Sequence, residues 1–332
     1  MKILIVGGAG YIGSHMSKLL VKSGHEVIVL DNLSTGFRKN VKYGELVVGD
    51  LADIGLLENV FSTYQFDAVM HFAANSLVGE SIKEPAKYYR NNVANTINLL
   101  DVMINHSVKY FIFSSTAATF GNPKYSPIDE HHPQHPINPY GMSKLMVENI
   151  LKDYASAYDL SSVSLRYFNA CGADPEGELG EMHDPETHLI PLVLQVASGR
   201  KKEITVFGSD YPTDDGTCIR DYIHVVDLCQ AHLLAIEYLI KNKSGAYSFN
   251  LGSGHGFSVQ EVLDASSLIV KRYNASIFVQ YGDKRPGDPD RLVADSILAR
   301  KILGWKPQYE CLETIIEHAW RWELELVKRK KQ

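Results

Sequence analysis

Tyr140 and Lys144 stand four residues apart in "NPYGMSK" (138–144), directly after Pro139. On a helix that spacing puts both side chains on one face, a single turn apart. The chemistry such a pair offers is proton transfer. An ordinary tyrosine has a pKa of about 10, so about one molecule in a thousand is phenolate near pH 7. Making it a base at that pH means favouring the anion by about 4 kcal/mol, at about 1.4 kcal/mol per pKa unit. A lysine cation one turn along supplies part of this. The helix start, for which Pro139 suits the first position, adds a smaller share through its dipole. The same two residues also fit the solvated first turn of an ordinary amphipathic helix. The elements around them have to decide.

Those elements are legible as an alternation. "KILIV" (2–6), "EVIVL" (26–30), "ELVV" (45–48), "DAVMHF" (67–72), "KYFIFS" (109–114) and "VSLRYF" (163–168) are short apolar runs rich in Val and Ile, which read as buried strands. Between the first two, Ile12, Met16, Leu19 and Leu20 share one helical face that ends at Gly24. Strands alternating with helices predict right-handed βαβ units and a doubly wound, Rossmann-type parallel sheet. After about residue 170 the texture changes. "CGADPEGELGEMHDPETH" (171–188) reads as a long loop, and later pieces lack regular alternation, with one more strand candidate at "AYSFNL" (246–251). The expected division is a dinucleotide-binding domain over 1–170 and a smaller mixed α/β substrate domain over 171–332. Segments near 215–250 are expected to return to the first.

The turn after the first strand is "GGAGYIG" (7–13). Gly8, Gly10 and Gly13 satisfy G-x-G-x-x-G, and Gly7, Gly10 and Gly13 satisfy G-x-x-G-x-x-G. Glycine there serves a tight turn, close approach of backbone to a pyrophosphate, and close helix–strand packing. The following helix start (Tyr11, Ile12) offers free N–H groups to phosphates. Asp31 ends the second strand 18 residues beyond Gly13, where its carboxylate accepts from an adenosine ribose hydroxyl. Asp31 followed by Asn32 favours NAD over NADP, because a 2′-phosphate would meet a carboxylate. Asp50 and Leu51, at the end of the third strand, are placed to flank an adenine.

Composition narrows the partners. A formal net charge of −6 argues against a general nucleic-acid or anionic-membrane binder. An anionic substrate must therefore be held by a few well-placed cations. Cys171, Cys218, Cys229 and Cys311 form no C-x-x-C pair, which fits reduced thiols in a cytoplasmic protein. The N-terminus lacks a signal-peptide core, and no stretch approaches a membrane span. "HHPQHP" (131–136) invites a metal reading, but its prolines make it a loop without a carboxylate partner set. The basic run at the C-terminus reads as a solvated tail.

With this context the chain resembles the UDP-galactose (UDP-glucose) 4-epimerases of the extended short-chain dehydrogenase/reductase superfamily. The resemblance runs through "GGAGYIGSH", "DNLSTG", "GDLAD", "HFAA", "NNVANT", "FSSTAATFG", "NPYGMSK", "RYFNACGA", "HLIP" and "NLGSG". Its most specific stretches are "VFGSDYPTDDGTCIRDYIHVVDL" and "RPGDPDRLVAD". It implies retained NAD and no metal in the reaction. Tyr140 takes the proton of the sugar 4-hydroxyl as hydride leaves carbon 4, the 4-keto sugar turns over, and hydride returns to its other face. Lys144 and the positive nicotinamide favour the phenolate, Lys144 orients the cofactor ribose, and Thr116 bonds the 4-hydroxyl. Ser114 and Ser115 line the site, and Phe72, Ala73, Ala74, Asn91 and Tyr167 complete the cofactor contacts. For the UDP-hexose, the resemblance assigns the diphosphate to Arg220 and Arg285. Asn169, His188, Leu189, Phe207, Tyr222 and Asp288 face the nucleotide. It also implies a homodimer through helices near 88–104 and 140–157.

Two positions depart from the family pattern. Ser76 stands where some members carry a cofactor-contacting lysine, with Asn75 beside it. Leu292 stands where strict UDP-galactose enzymes often carry a tyrosine near the sugar 2-substituent, which opens the pocket to an N-acetyl group. A UDP-N-acetylglucosamine or UDP-glucuronate 4-epimerase is accordingly the near alternative. A 4,6-dehydratase needs an acid/base pair after the threonine, where this chain has Ala117 and Ala118. A non-catalytic NAD-sensing protein need not keep Tyr140, Lys144 and Thr116 together.

Overall fold

The computed structural model describes residues 1–242, 244–284 and 288–331. Along the first half run β1 (Lys2–Val6), α1 (Tyr11–Lys22), β2 (Glu26–Asp31), β3 (Glu45–Val48), α2 (Ile54–Tyr64), β4 (Ala68–His71), α3 (Val78–Lys83) and α4 (Pro85–Tyr88). A π-helical turn (Tyr89–Ala94) leads into α5 (Asn95–Asn105), then β5 (Tyr110–Thr116), α6 (Pro139–Tyr158) and β6 (Ser161–Tyr167). The second half adds β7 (Asn169–Cys171), α7 (Leu189–Ala197), β8 (Ile204–Phe207), β9 (Ile219–His224), α8 (Val225–Lys241), β10 (Ala246–Leu251), β11 (Gly256–Ser258) and α9 (Val259–Lys271). It ends with β12 (Val279–Gly282), β13 (Arg291–Leu292), α10 (Ile297–Ile302) and α11 (Leu312–Lys331).

Seven strands form one parallel sheet in the order β10-β6-β5-β4-β1-β2-β3. Because side chains alternate across a strand, each strand feeds two cores. Ile3, Ile5, Val27 and Val29 pack with Met16 and Leu20 of α1 and Leu228 and Ile236 of α8. Leu4, Val6, Ile28 and Leu30 pack on the other face with Leu57, Phe61, Leu99, Met103, Val147 and Leu151 from α2, α5 and α6. Burial on both faces is why the strands read as continuous apolar runs. Strand order reverses between β1 and β4, so the crevice at their carboxyl ends is where such a sheet takes a ligand.

The remaining strands lie apart. β11, β9 and β13 form a small sheet joined by β7, and β8 pairs with β12. α7, α9 and α11 close a third core around Ile190, Ile269, Ile316 and Trp320. Some boundaries differ from the sequence reading. β3 stops at Val48, so Asp50 and Leu51 sit in the turn beyond it. β6 starts earlier, at Ser161, and stops at Tyr167. Within 171–188, Cys171 closes β7 and an isolated antiparallel bridge joins Ala173 to Gly180.

Candidate active site

A cleft of about 800 Å³ opens at the carboxyl ends of β1, β4 and β5. Its floor is the glycine turn. Gly7 has φ +82°, and a Cβ there would lie 2.5 Å from the Ala73 nitrogen. A Cβ on Gly13 would lie 2.3 Å from the Gly7 carbonyl oxygen. Only hydrogen fits at either position, so the turn and the first turn of α1 close against each other. α1 begins at Tyr11 after Gly10, with no side-chain cap, which leaves the first-turn N–H groups of Tyr11, Ile12 and Gly13 to a ligand.

Asp31 is fixed at the edge of this floor. Its Oδ2 accepts from the Ala9 N–H at 2.9 Å and its Oδ1 from the Leu33 N–H at 2.8 Å. Burial raises its pKa, and those two backbone bonds oppose the rise. Asn32 donates to Asp50 Oδ2 at 2.6 Å, tying the tips of β2 and β3 together beside Leu51. Phe72, Ala73, Ala74 and Asn91 line the opposite wall with Asn75 and Ser76. The Asn75 backbone is clamped by Asn92, at 2.9 and 3.0 Å. A glycine cradle, an uncapped helix start and a rim carboxylate together fit an adenine dinucleotide.

The chemical wall is built where α6 meets the end of β5. Asn138 caps α6, its Oδ1 accepting from the Gly141 N–H at 2.8 Å, and Pro139 takes the first turn. Gly141 lets the helix start abut β5, since a Cβ there would lie 2.4 Å from the Ala118 oxygen. Tyr140, Lys144, Thr116, Ser114 and Tyr167 all face the cleft. The Thr116 hydroxyl stands next to the Tyr140 phenol. Burial pushes the Tyr140 pKa above its ordinary value, while the Thr116 hydroxyl lowers it. Lys144 donates to the Ser114 carbonyl at 2.7 Å and sits 4.7 Å from the centre of the Phe113 ring. Burial pulls the Lys144 pKa down to about 7 against the pull of Glu148. Thr116 thus favours the Tyr140 phenolate from within the chain, in addition to the share that the spacing assigns to Lys144. The Ser114 hydroxyl is bonded to the Tyr167 hydroxyl.

Ser115 corrects the expectation that it lines the site. It follows Ser114 on β5, so its side chain points to the other face of the sheet. There its hydroxyl donates to Glu148 Oε1 at 2.5 Å, and Arg166 forks onto the same carboxylate at 2.6 and 3.0 Å. This buried node joins α6 to β5 and β6 directly behind Tyr140 and Thr116.

A second cleft of about 430 Å³ shares Asn169, Ala170, His188 and Asp288 with the first. Leu189, Phe207, Arg220 and Tyr222 line it. Arg220 pairs with Asp288 across this cleft. It does not pair with Asp221, whose buried carboxylate accepts from Ser253, Gly254 and Ala294 instead. Leu292 lines the first cleft over Phe120, Ala117 and Ile128. Arg285 lies outside the described residues. Of "HHPQHP", His132 is buried, with Nε2 taking the Lys124 N–H at 2.9 Å, which makes it part of the loop's own structure.

One grouping is absent from the sequence reading, which assigns only its His188, to the nucleotide. Glu181, His183 and His188, from the segment read as loop, stand on the wall of the first cleft, with Glu186 behind them. Burial alone would depress His188, but the Glu181 and Glu186 carboxylates outweigh it and raise its pKa. The signal was present as E-x-H-x-x-E-x-H in "EMHDPETH" (181–188).

Residues 3–252 match the NAD dependent epimerase/dehydratase family. The chain belongs to this family. A UDP-glucose 4-epimerase of Halalkalibacterium halodurans is 51% identical over 325 residues, spanning 98% of this chain and 96% of that protein. The crystal structure of the Brucella ovis UDP-glucose 4-epimerase in complex with NAD is similar at a TM-score of 0.92, 49% identical, covering 96% of this chain and 97% of that one. That of the Bifidobacterium longum enzyme with NAD+ and UDP has a TM-score of 0.91 and 39% identity, covering 98% of each. As a family member the chain is an NAD-dependent protein of the extended short-chain dehydrogenase/reductase type, and its glycine cradle and Asp31 fit that cofactor.

Proposed function

We propose that this protein interconverts UDP-galactose and UDP-glucose by transient oxidation at sugar carbon 4, through a 4-keto intermediate, with NAD retained. The observation that carries the reading is the meeting of Tyr140, Thr116 and Lys144 on one cleft wall beside the glycine cradle. Relatives of assigned activity near 50% identity over almost the whole chain support it.

Tyr140 takes the 4-hydroxyl proton and gives it back, with Thr116 steadying its phenolate. Lys144, buried one turn along, orients the cofactor ribose and contributes its charge when protonated. Gly7, Gly10 and the α1 start hold the pyrophosphate, Asp31 the ribose, and Asp50 and Leu51 the adenine edge. Bound NAD supplies the hydride acceptor and donor, and with it a positive charge on this wall. In the second cleft Arg220 exchanges Asp288 for the diphosphate, joined by Arg285, and Asp288 then accepts from the ribose. Asn169, His188, Leu189, Phe207 and Tyr222 enclose the uridine. Ala117 and Ala118, on the same wall after Thr116, offer no titratable proton, which tells against dehydration. In this reading the NAD-binding unit is residues 1–170 with α8 and β10, and the rest mainly holds the substrate. The protein works in the cytoplasm as a homodimer through α5 and α6. No helix among the described residues is long and apolar enough to cross a membrane.

The test uses purified protein without added nicotinamide. UDP-galactose should be converted to UDP-glucose, and NAD should appear on denaturation. Tyr140→Phe should lose about 100-fold or more in turnover while still binding UDP. Stoichiometric NADH accumulation, or near-normal turnover in Tyr140→Phe, would overturn the reading.

A further inference from the structure

The segment 181–188 gathers four side chains of metal-ligand chemistry at one point. Donor atoms of Glu181, His183, Glu186 and His188 all lie within 4.8 Å of one another. Nδ1 of both histidines approaches the same oxygen, Glu181 Oε1, at 2.9 and 2.7 Å. His188 Nδ1 also lies 2.9 Å from Glu186 Oε1. A ring Nδ1 carries at most one hydrogen, so His188 cannot serve two carboxylates at full strength. Both carboxylate side chains are nearly buried, 5% and 4% exposed, and their two negative charges need two positive charges at hand. Two imidazolium protons provide them. One divalent cation provides them too, and it meets all four converging lone pairs at once.

We propose that Glu181, His183, Glu186 and His188 form a structural binding site for one divalent ion of the zinc type, which ties this loop to the wall between the two clefts. Two imidazole nitrogens and two carboxylate oxygens make a neutral four-coordinate set with such an ion. Bonds of about 2.0–2.2 Å would set tetrahedral donors about 3.4 Å apart, so the shortest contacts must open by about 0.5–0.7 Å while the wider pairs draw in. The two histidines can give that room, being 34% and 47% exposed. Outer contacts already hold the Glu181 backbone and the Glu186 carboxylate. The Glu181 carbonyl accepts from Trp322 Nε1 at 2.9 Å, and Glu186 Oε1 accepts the N–H groups of Thr187 and His188 at 2.8 and 2.9 Å. The other acidic group nearby, Asp174 with Glu176 and Glu178, is already filled by Lys18 Nζ at 2.7, 2.8 and 2.9 Å. With the ion on Nδ1, His188 keeps Nε2–H as a fixed donor on a residue that lines both clefts. The ion takes no part in the proton transfer; the site meets the reaction proposed above only through His188, which lines the substrate cleft.

The full chain, stripped with chelator, is titrated with zinc chloride by calorimetry at neutral pH in two buffers of different ionisation enthalpy. One zinc per chain should bind, with release of protons, and the melting temperature should rise. His183→Gln keeps the size and folds the loop around a neutral amide. It should weaken binding at least about 100-fold, since even outer-shell changes cost 10–100-fold, and should abolish the rise in melting temperature. His183→Gln is chosen over Glu181→Gln because the half-buried position can be checked for native circular dichroism. No zinc uptake at micromolar concentrations would overturn the site. So would uptake at the parent's affinity in both His183→Gln and His188→Gln, which would place the ion on other histidines.

Discussion

Replacing Thr116 with Val removes a protein group that favours the Tyr140 phenolate. Valine keeps the β-branched shape on β5 and removes only the hydroxyl. A hydrogen bond to a charged group is worth about 1.5–3 kcal/mol, so losing it should cost roughly 10- to 150-fold in kcat at neutral pH. The same energy corresponds to about one to two pKa units. The sign follows from the lost stabilisation of the anion. Tyr140, already raised by burial, rises further, so the ascending limb of the pH–rate profile should move to higher pH by that amount. Thr116 Oγ1 also accepts from the Ala118 N–H at 3.1 Å, a cap whose loss should cost about 1 kcal/mol of stability. Thr116→Ser keeps both bonds and should keep most of the rate and the parental limb. The assay is initial-rate conversion of UDP-galactose over a range of pH, with melting temperatures for each variant. A Thr116→Val rate within about twofold of the parent, with an unmoved limb, would refute the role given to Thr116.

Gly13→Ala would put a methyl group 2.3 Å from the Gly7 carbonyl oxygen, so the turn must open. Purified Gly13→Ala should carry substoichiometric NAD by absorbance after denaturation, at near-parental helix content. Leu292 leaves room beside sugar carbon 2 that a tyrosine would fill. The parent should therefore epimerise UDP-N-acetylhexosamine as well as UDP-galactose, and Leu292→Tyr should depress the N-acetyl rate selectively, by overpacking of about 1–3 kcal/mol. Equal loss of both rates would show that Leu292 is not the gate.

Local sequence determined the frame of this protein because the physics there is local. Strand and helix periods, the glycine turn after β1, and the Asn138–Pro139 start of α6 each depend on neighbours a few residues away, and their positions agree with the fold. Tyr140 and Lys144 share a helix, so their common face followed from spacing. What only the tertiary structure decided are the relations between segments far apart in the chain. Thr116 meets Tyr140 because Gly141 lets α6 close on β5, and that contact adds a group to the tuning of the phenolate. Ser115 turns away to Glu148 and Arg166, since alternation along β5 leaves only every second side chain for the cleft. Arg220 finds Asp288, 68 residues on, in place of its neighbour Asp221, because that carboxylate is already filled by the turn at 253–254 and by Ala294. The loop 181–188 shows why the rest stayed hidden. Its composition reads as solvated turn, and only its packing against Tyr11 and Trp322 buries two carboxylates and aims two imidazoles at one point.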